Sequence, residues 1–190
     1  AIARTQLGIP DGVSVVGWVG RLHCSMKGTD DFLRVVALLP DRFWGLVVGS
    51  GPDLDALKRL AVSLGIDRRV VFTGLLENPA IANRAMDVFC LTSHWEPFGL
   101  VVAEAMACAV PVVGFPCTGG VNELLTPETG CVLPDRNLPA IARAIVEAVE
   151  HPDLWHLHRE RAISQLKERH NWEQNTAHLA LAYQQLFRFT

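Results

Sequence analysis

Apolar, β-branched runs of strand length recur along this chain, each separated from the next by a longer amphipathic stretch. That alternation admits few folds. A parallel sheet flanked by helices buries both faces of such strands, so the expected class is α/β: a Rossmann-like parallel sheet of about six strands with a helical C-terminal tail. Strands are predicted at 14–19, 44–48, 70–73, 87–91, 110–114 and 130–133. Helices are predicted at 30–39, closed by Pro40, and at 53–64, capped by Gly65. Others follow at 78–85, 99–108, 138–150, 152–170 and 172–187, with a helical turn through 122–124 and a loop over 20–28. Trp155, Trp172 and Phe187 read as the core stripe of the tail helices.

No repeat or Gly/Ser/Pro-rich linker divides this pattern. Residues 13–170 are expected to form one Rossmann-like domain, with 1–12 a residual interdomain segment and 171–190 a C-terminal helix. The chain starts at Ala1 and its first ten residues form no clear core element, so it reads as a piece of a longer protein. With 190 residues, 49% of them hydrophobic, it can build a core without staples. A net charge of −3 provides no basic stripe, which argues against nucleic acid as a partner. The five cysteines are scattered singly with no Cys-x-x-Cys pair, as expected of reduced cytosolic thiols. All but Cys24, which falls in the 20–28 loop, read as small core hydrophobes. There is no signal peptide and no apolar run of membrane length, so a cytoplasmic location is expected.

Folds of this class bind ligands beyond the carboxyl ends of their strands, and the Gly-rich loops fall there. Glu96 and Glu104 stand eight positions apart across Pro97-Phe98-Gly99 and the start of an apolar helix. Free N–H groups at Leu100 and Val101 would offer an anion site between them, and the carboxylates could accept hydrogen bonds from vicinal hydroxyls. Sugar, diphosphate and ribose would then lie in a row. The plainer reading stands beside it, because the macrodipole alone favours acids in a first helical turn. Arg21 and Lys27 lie between Gly20 and Gly28 after the first strand, where two cations suit a diphosphate. Solvated turn cations are the commoner alternative. Gly49-Ser50-Gly51-Pro52 is a tight turn that lets backbone approach the same cleft, and Gly119-Gly120 could be no more than a helix entry. His23 and His94 lie at the cleft edge without metal-ligand partners at suitable spacing, so no metal is expected.

Taken in order, Gly-Arg-Leu with Lys-Gly, Gly-Ser-Gly-Pro, Val-Phe-Thr-Gly at 71–74, the Glu96 to Glu104 segment, Pro111-Val112-Val113 and Gly-Gly-Val-Asn-Glu resemble one family. It is the C-terminal, donor-binding domain of the retaining glycosyltransferases of family four, glycosyl transferases group 1, which have the two-domain GT-B architecture. The resemblance covers roughly Val13 to Val149. It implies a nucleotide-sugar-binding domain, and a longer protein whose N-terminal domain supplies most of the site for a glycan or lipid-linked acceptor. The tail helix would pack toward that domain, the isolated domain would be inactive, and peripheral membrane contact is left open for the full-length protein.

Carried over residue by residue, the resemblance implies Arg21, Lys27 and Glu96 as the catalytic set, the two cations on the diphosphate and Glu96 on the sugar ring. Leu100 and Val101 would add backbone N–H groups, and Glu104 would hold the ribose. Phe98 and Gly99 would shape the sugar pocket, and Thr73, Gly74 and Leu75 would meet the base. Gly20, Gly49 and Gly51 would line the phosphate side. No cofactor is implied; the donor is a UDP-, GDP- or ADP-linked sugar. Transfer would retain the anomeric configuration through an oxocarbenium-like transition state. Glu96 is not assigned as a nucleophile, because the diphosphate lies between the two acids. Three positions depart from the family pattern: the Arg21 to Lys27 interval is one residue longer, Pro97 replaces a small residue, and Ala109 replaces the Gly of Ala-Cys-Gly-Val-Pro. A non-catalytic nucleotide-sugar-binding module and a GT-B epimerase or phosphorylase relative are the alternatives.

Overall fold

The computed structural model describes residues 2–186. Six parallel strands, β1 Ser14–Val19, β2 Phe43–Val48, β3 Val70–Gly74, β4 Val88–Leu91, β5 Val112–Gly114 and β6 Cys131–Val132, form one sheet in the order β3-β2-β1-β4-β5-β6. The helices are α1 Ile2–Gln6, α2 Cys24–Lys27, α3 Thr29–Leu38, α4 Leu54–Ser63, α5 Ala80–Ala85, α6 Leu100–Ala107, α7 Leu138–Glu150, α8 His156–Arg169 and α9 Trp172–Leu186.

Period-two alternation divides the strands between two cores. Val16, Trp18, Phe43, Val47, Val88 and Cys90 join Phe32 and Val36 of α3, Leu57 of α4, and Ile141 and Ile145 of α7 on one face. Val15, Leu46, Phe89, Leu91 and Val112 join Ala82 of α5, Val102 and Met106 of α6, and Ala162 of α8 on the other. The strand order reverses between β1 and β4, which pair through Val16↔Val88 and Gly17↔Phe89. Such a reversal leaves a crevice above the carboxyl ends of the two strands.

Five expectations are corrected. The first ten residues are not without structure: Arg4 of α1 pairs with Asp87 at 2.7 Å, donates to the Ala85 and Val13 carbonyls, and Ile9 is buried. The 20–28 loop contains the one-turn helix α2. Asp87 falls just outside β4 and accepts the Val15 N–H at 2.7 Å. Trp155 is buried, but Trp172 is 82% exposed and is no core residue; Phe187 lies outside the described residues. Among the thiols, Cys90 and Cys117 are buried, Cys24 and Cys131 are half-buried, and Cys108 is exposed, contrary to its reading as a core hydrophobe.

Candidate functional site

The crevice is built by two loops that meet at a glycine. Gly28 ends α2 in the left-handed region at φ 60°, and a Cβ there would lie 2.1 Å from the Thr92 carbonyl oxygen. Only glycine permits that approach. The His94 and Trp95 N–H groups donate to the Met26 carbonyl at 2.9 and 3.1 Å, drawing the loop after β4 onto α2. Lys27 Nζ thereby reaches Glu96 Oε2 at 2.6 Å, with side-chain exposures of 16% and 12%. Ser93 Oγ lies 3.4 Å from the same oxygen. Lys27 and Glu96, expected at neighbouring points of one ligand, are thus a shielded ion pair in the free protein, and Glu96 Oε1 takes no hydrogen bond among the described residues.

The acid loop is cradled from below. Glu96 N–H donates to the Thr118 carbonyl at 2.9 Å, and Gly120 N–H to the Pro97 carbonyl at 2.6 Å. A Cβ on Gly119 would lie 2.0 Å from the Glu96 carbonyl oxygen, and one on Gly120 2.6 Å from that of Pro97. The Gly-Gly-Val-Asn-Glu segment is therefore more than a helix entry; its missing side chains let it lie against the Glu96 backbone. Gly99, at φ 85°, turns the chain into α6. The Leu100 and Val101 N–H groups at its first turn have no acceptor among the described residues, which leaves two open donors at the positive end of the helix.

Arg21 stands on the opposite lip, exposed, and its guanidinium makes no ion pair or hydrogen bond among the described residues. Its loop is stitched to the Gly49-Ser50-Gly51 turn: Leu22 N–H donates to the Ser50 carbonyl at 2.9 Å, and a Cβ on Gly49 or Gly51 would lie 1.9 or 2.3 Å from the Gly20 or Leu22 oxygen. Contact between these loops accounts for both glycines. Asp53 Oδ2 accepts the Cys24 N–H at 2.7 Å and is held below the usual carboxylate range chiefly by that bond. The Cys24 thiol is pushed up to about 11, first by burial and then by Asp30 and Asp53, so it is no thiolate nucleophile. The Arg21 to Lys27 interval contains the single turn of α2.

Gly20, Gly49 and Leu75 line a cavity of about 190 Å³ with Val19, Val48 and Pro79. The Gly74 carbonyl accepts from Gly49 N–H at 2.9 Å and from Thr73 Oγ1 at 2.9 Å. Phe98 and Glu104 line a groove of about 560 Å³ between α6 and the tail that also takes in Leu100, Leu166, His170 and Trp172. The Phe98 ring meets His170 edge-on at 5.3 Å. Glu104 is exposed at the groove, and partial desolvation there raises its carboxyl above its ordinary value. His23 Nδ1 lies 3.2 Å from Ser25 Oγ. Among the described residues no group of His, Cys, Asp and Glu side chains could hold a metal ion.

One residue of this region escaped sequence reasoning. Arg136, between β6 and α7, donates to the Thr92 and Ser93 carbonyls at 2.6 and 3.2 Å and to Asp31 of α3 at 2.8 Å. Its guanidinium lies over the Phe115 ring, 4.9 Å from the centroid. No motif surrounds it. The available signal was its place at the carboxyl end of the last strand, the edge at which ligands bind.

Comparison with known proteins gives this architecture a family. The signature described as "Glycosyl transferases group 1" matches residues 13–151. The chain is 32% identical over 197 residues to the lipopolysaccharide core biosynthesis mannosyltransferase LpsB of Rhizobium meliloti, an alignment covering 98% of this chain and 56% of that protein. Among solved structures, Anabaena HepE in complex with UDP and glucose superposes with a TM-score of 0.87 at 26% identity, over 96% of this chain and 51% of that one. Sucrose-phosphate synthase from Thermosynechococcus elongatus superposes with a TM-score of 0.87 at 30% identity, over 99% and 49%. The chain spans about half the length of these relatives. It belongs to the group 1 glycosyl transferases, and its sheet and flanking helices are one half of the GT-B fold.

Proposed function

We propose that this member of the group 1 glycosyl transferases is the donor-binding half of a retaining glycosyltransferase, moving a sugar from a nucleoside diphosphate to a glycan or lipid-linked acceptor. The observation that carries the reading is the Lys27–Glu96 pair joining the loops after β1 and β4, with an unpaired Arg21 on the first loop and the open N–H groups of α6 directly after the second. A relative whose structure holds UDP and glucose shares the fold.

In this reading Arg21 forks onto the diphosphate, and the first turn of α6 receives its remaining charge. Lys27 has three donors, of which Glu96 uses one and the Trp95 carbonyl, at 3.4 Å, a weak second. The third can reach a phosphate oxygen while the pair stays closed. Glu96 Oε1 then accepts a sugar hydroxyl, so one ammonium couples the sugar to its leaving group. The cations and the helix terminus stabilise charge developing on the departing diphosphate, which favours an oxocarbenium-like path. Glu104 holds the ribose hydroxyls, and residues 73–75 face the base. No helix among the described residues is long and apolar enough to cross a membrane.

Calorimetric titration with UDP, GDP and ADP tests the reading. At least one should bind, and Arg21→Ala should weaken it about tenfold or more, the loss of one charge-assisted phosphate contact. Absence of binding to all three at millimolar concentration would overturn it.

A further inference from the structure

We infer that Arg136 is the positioning residue of the Lys27–Glu96 pair. The inference rests on the donor-site reading, and gives a task to a side chain that belongs to none of its motifs. β4 ends at Leu91, so the Thr92 and Ser93 carbonyls have left the sheet ladder and need donors elsewhere. Arg136 supplies both, at 2.6 and 3.2 Å. Its other anchor is Asp31, at 2.8 Å, in the first turn of the helix that begins directly after Gly28. One planar fork thus ties the strand end that leads to Glu96 to the helix start that follows Lys27. It also packs on Phe115, at the end of β5, which fixes the plane of the guanidinium.

Other side chains at this junction do not share the task. The hydroxyls of Thr29 and Thr92 are buried there, and neither has a hydrogen-bond partner among the described residues, so they tie nothing together. The remaining links between the loops are the two N–H groups on the Met26 carbonyl, the ion pair itself and the weak bond from Lys27 Nζ to the Trp95 carbonyl. A lysine could not replace the fork, because a single ammonium is a point donor without the planar geometry that serves two carbonyls and a carboxylate together. Arg136 touches neither Lys27 nor Glu96. It acts by holding the backbone on which each stands.

Two measurements on this chain separate positioning from mere stabilisation, with Arg136→Lys as the mild variant and Arg136→Ala as the severe one. In hydrogen exchange, the amides of His94, Trp95 and Glu96 should lose protection about tenfold or more while those of β2 keep theirs. Unchanged protection at the three amides, or an equal loss in β2, overturns the proposal. In calorimetry with UDP, GDP and ADP and their glucose esters, Arg136→Lys should lower the affinity for the sugar ester about tenfold more than that for the nucleoside diphosphate, because Glu96 meets the sugar whereas Lys27 shares the phosphates with Arg21 and α6. In a Glu96→Gln background that tenfold difference should vanish, since the group that meets the sugar has gone; an undiminished difference there overturns the proposal. Failure of the native chain to bind any of these nucleotides would sink the donor-site reading, and the exchange measurement would still decide the role of Arg136.

Discussion

Ala109 is the one non-glycine among the described residues with a positive φ, 57°. Its N–H donates to the Met106 carbonyl at 2.9 Å and the Val110 N–H to that of Ala105 at 3.0 Å, the paired bonds of a left-handed helix end after α6. The family pattern has glycine at this position, and the geometry explains why. A left-handed L-residue costs about 1–2 kcal/mol, and the greater freedom of glycine in the unfolded chain returns about 0.4–1 kcal/mol of that. Ala109→Gly should therefore stabilise the domain by about 0.5–1 kcal/mol in urea unfolding. A loss of stability would show that the Ala109 methyl packs usefully enough to outweigh its strain. Pro97, a second departure, needs no such adjustment: its carbonyl accepts from Gly120, and a proline has a carbonyl like any other residue.

At the scale of elements, two left-handed glycines separate conformational strain from steric exclusion. Gly65, after α4, has φ 70° and no atom within 4 Å of the place a Cβ would take; Gly28, between α2 and α3, has φ 60° and the Thr92 oxygen at 2.1 Å. Gly65→Ala should cost about 1 kcal/mol, the backbone term alone. Gly28→Ala should cost at least about 1 kcal/mol more, because the β4 loop must retreat. It should also weaken nucleoside diphosphate binding, which Gly65→Ala leaves alone; equal stability losses and equal affinities in the two variants would mean that the Gly28 contact yields freely. The contrast also marks what a sequence makes legible. Strands and long helices were readable to within a few residues because each carries its own period, and the Gly-Arg-Leu and Glu96 to Glu104 motifs fell at the sheet edge where such folds bind ligands. α1 and α2 are too short to display a period. Arg136 was invisible for another reason: its partners Asp31, Thr92 and Ser93 are distant in sequence, and only the folded sheet brings them to it. Glu104 was placed correctly on its helix, but the groove it shares with Leu166, His170 and Trp172 depends on how the tail returns over α6, which local pattern does not encode.

For the whole molecule, that returning tail couples pH to stability through Glu104. Glu104 is exposed at the groove between α6 and the tail, and partial desolvation there raises its carboxyl with no partner to compensate. A raised folded-state value means that the group is neutral in both states at low pH and carries no penalty there. As pH rises through the folded value, ionising it within the groove costs more than in the unfolded chain, and stability falls. Glu104→Gln should therefore match the native chain at about pH 4 and exceed it in stability near pH 7, with the gap opening between those limits. If Glu104 also holds the donor's ribose, the same variant should bind nucleoside diphosphate more weakly at pH 7, becoming more stable and less able to bind at once. Thermal unfolding at both pH values, with and without UDP, GDP or ADP, measures both effects. A gap that stays constant with pH would mean that the tail does not shield Glu104 in solution, whereas unchanged nucleotide binding would move the ribose contact to another residue.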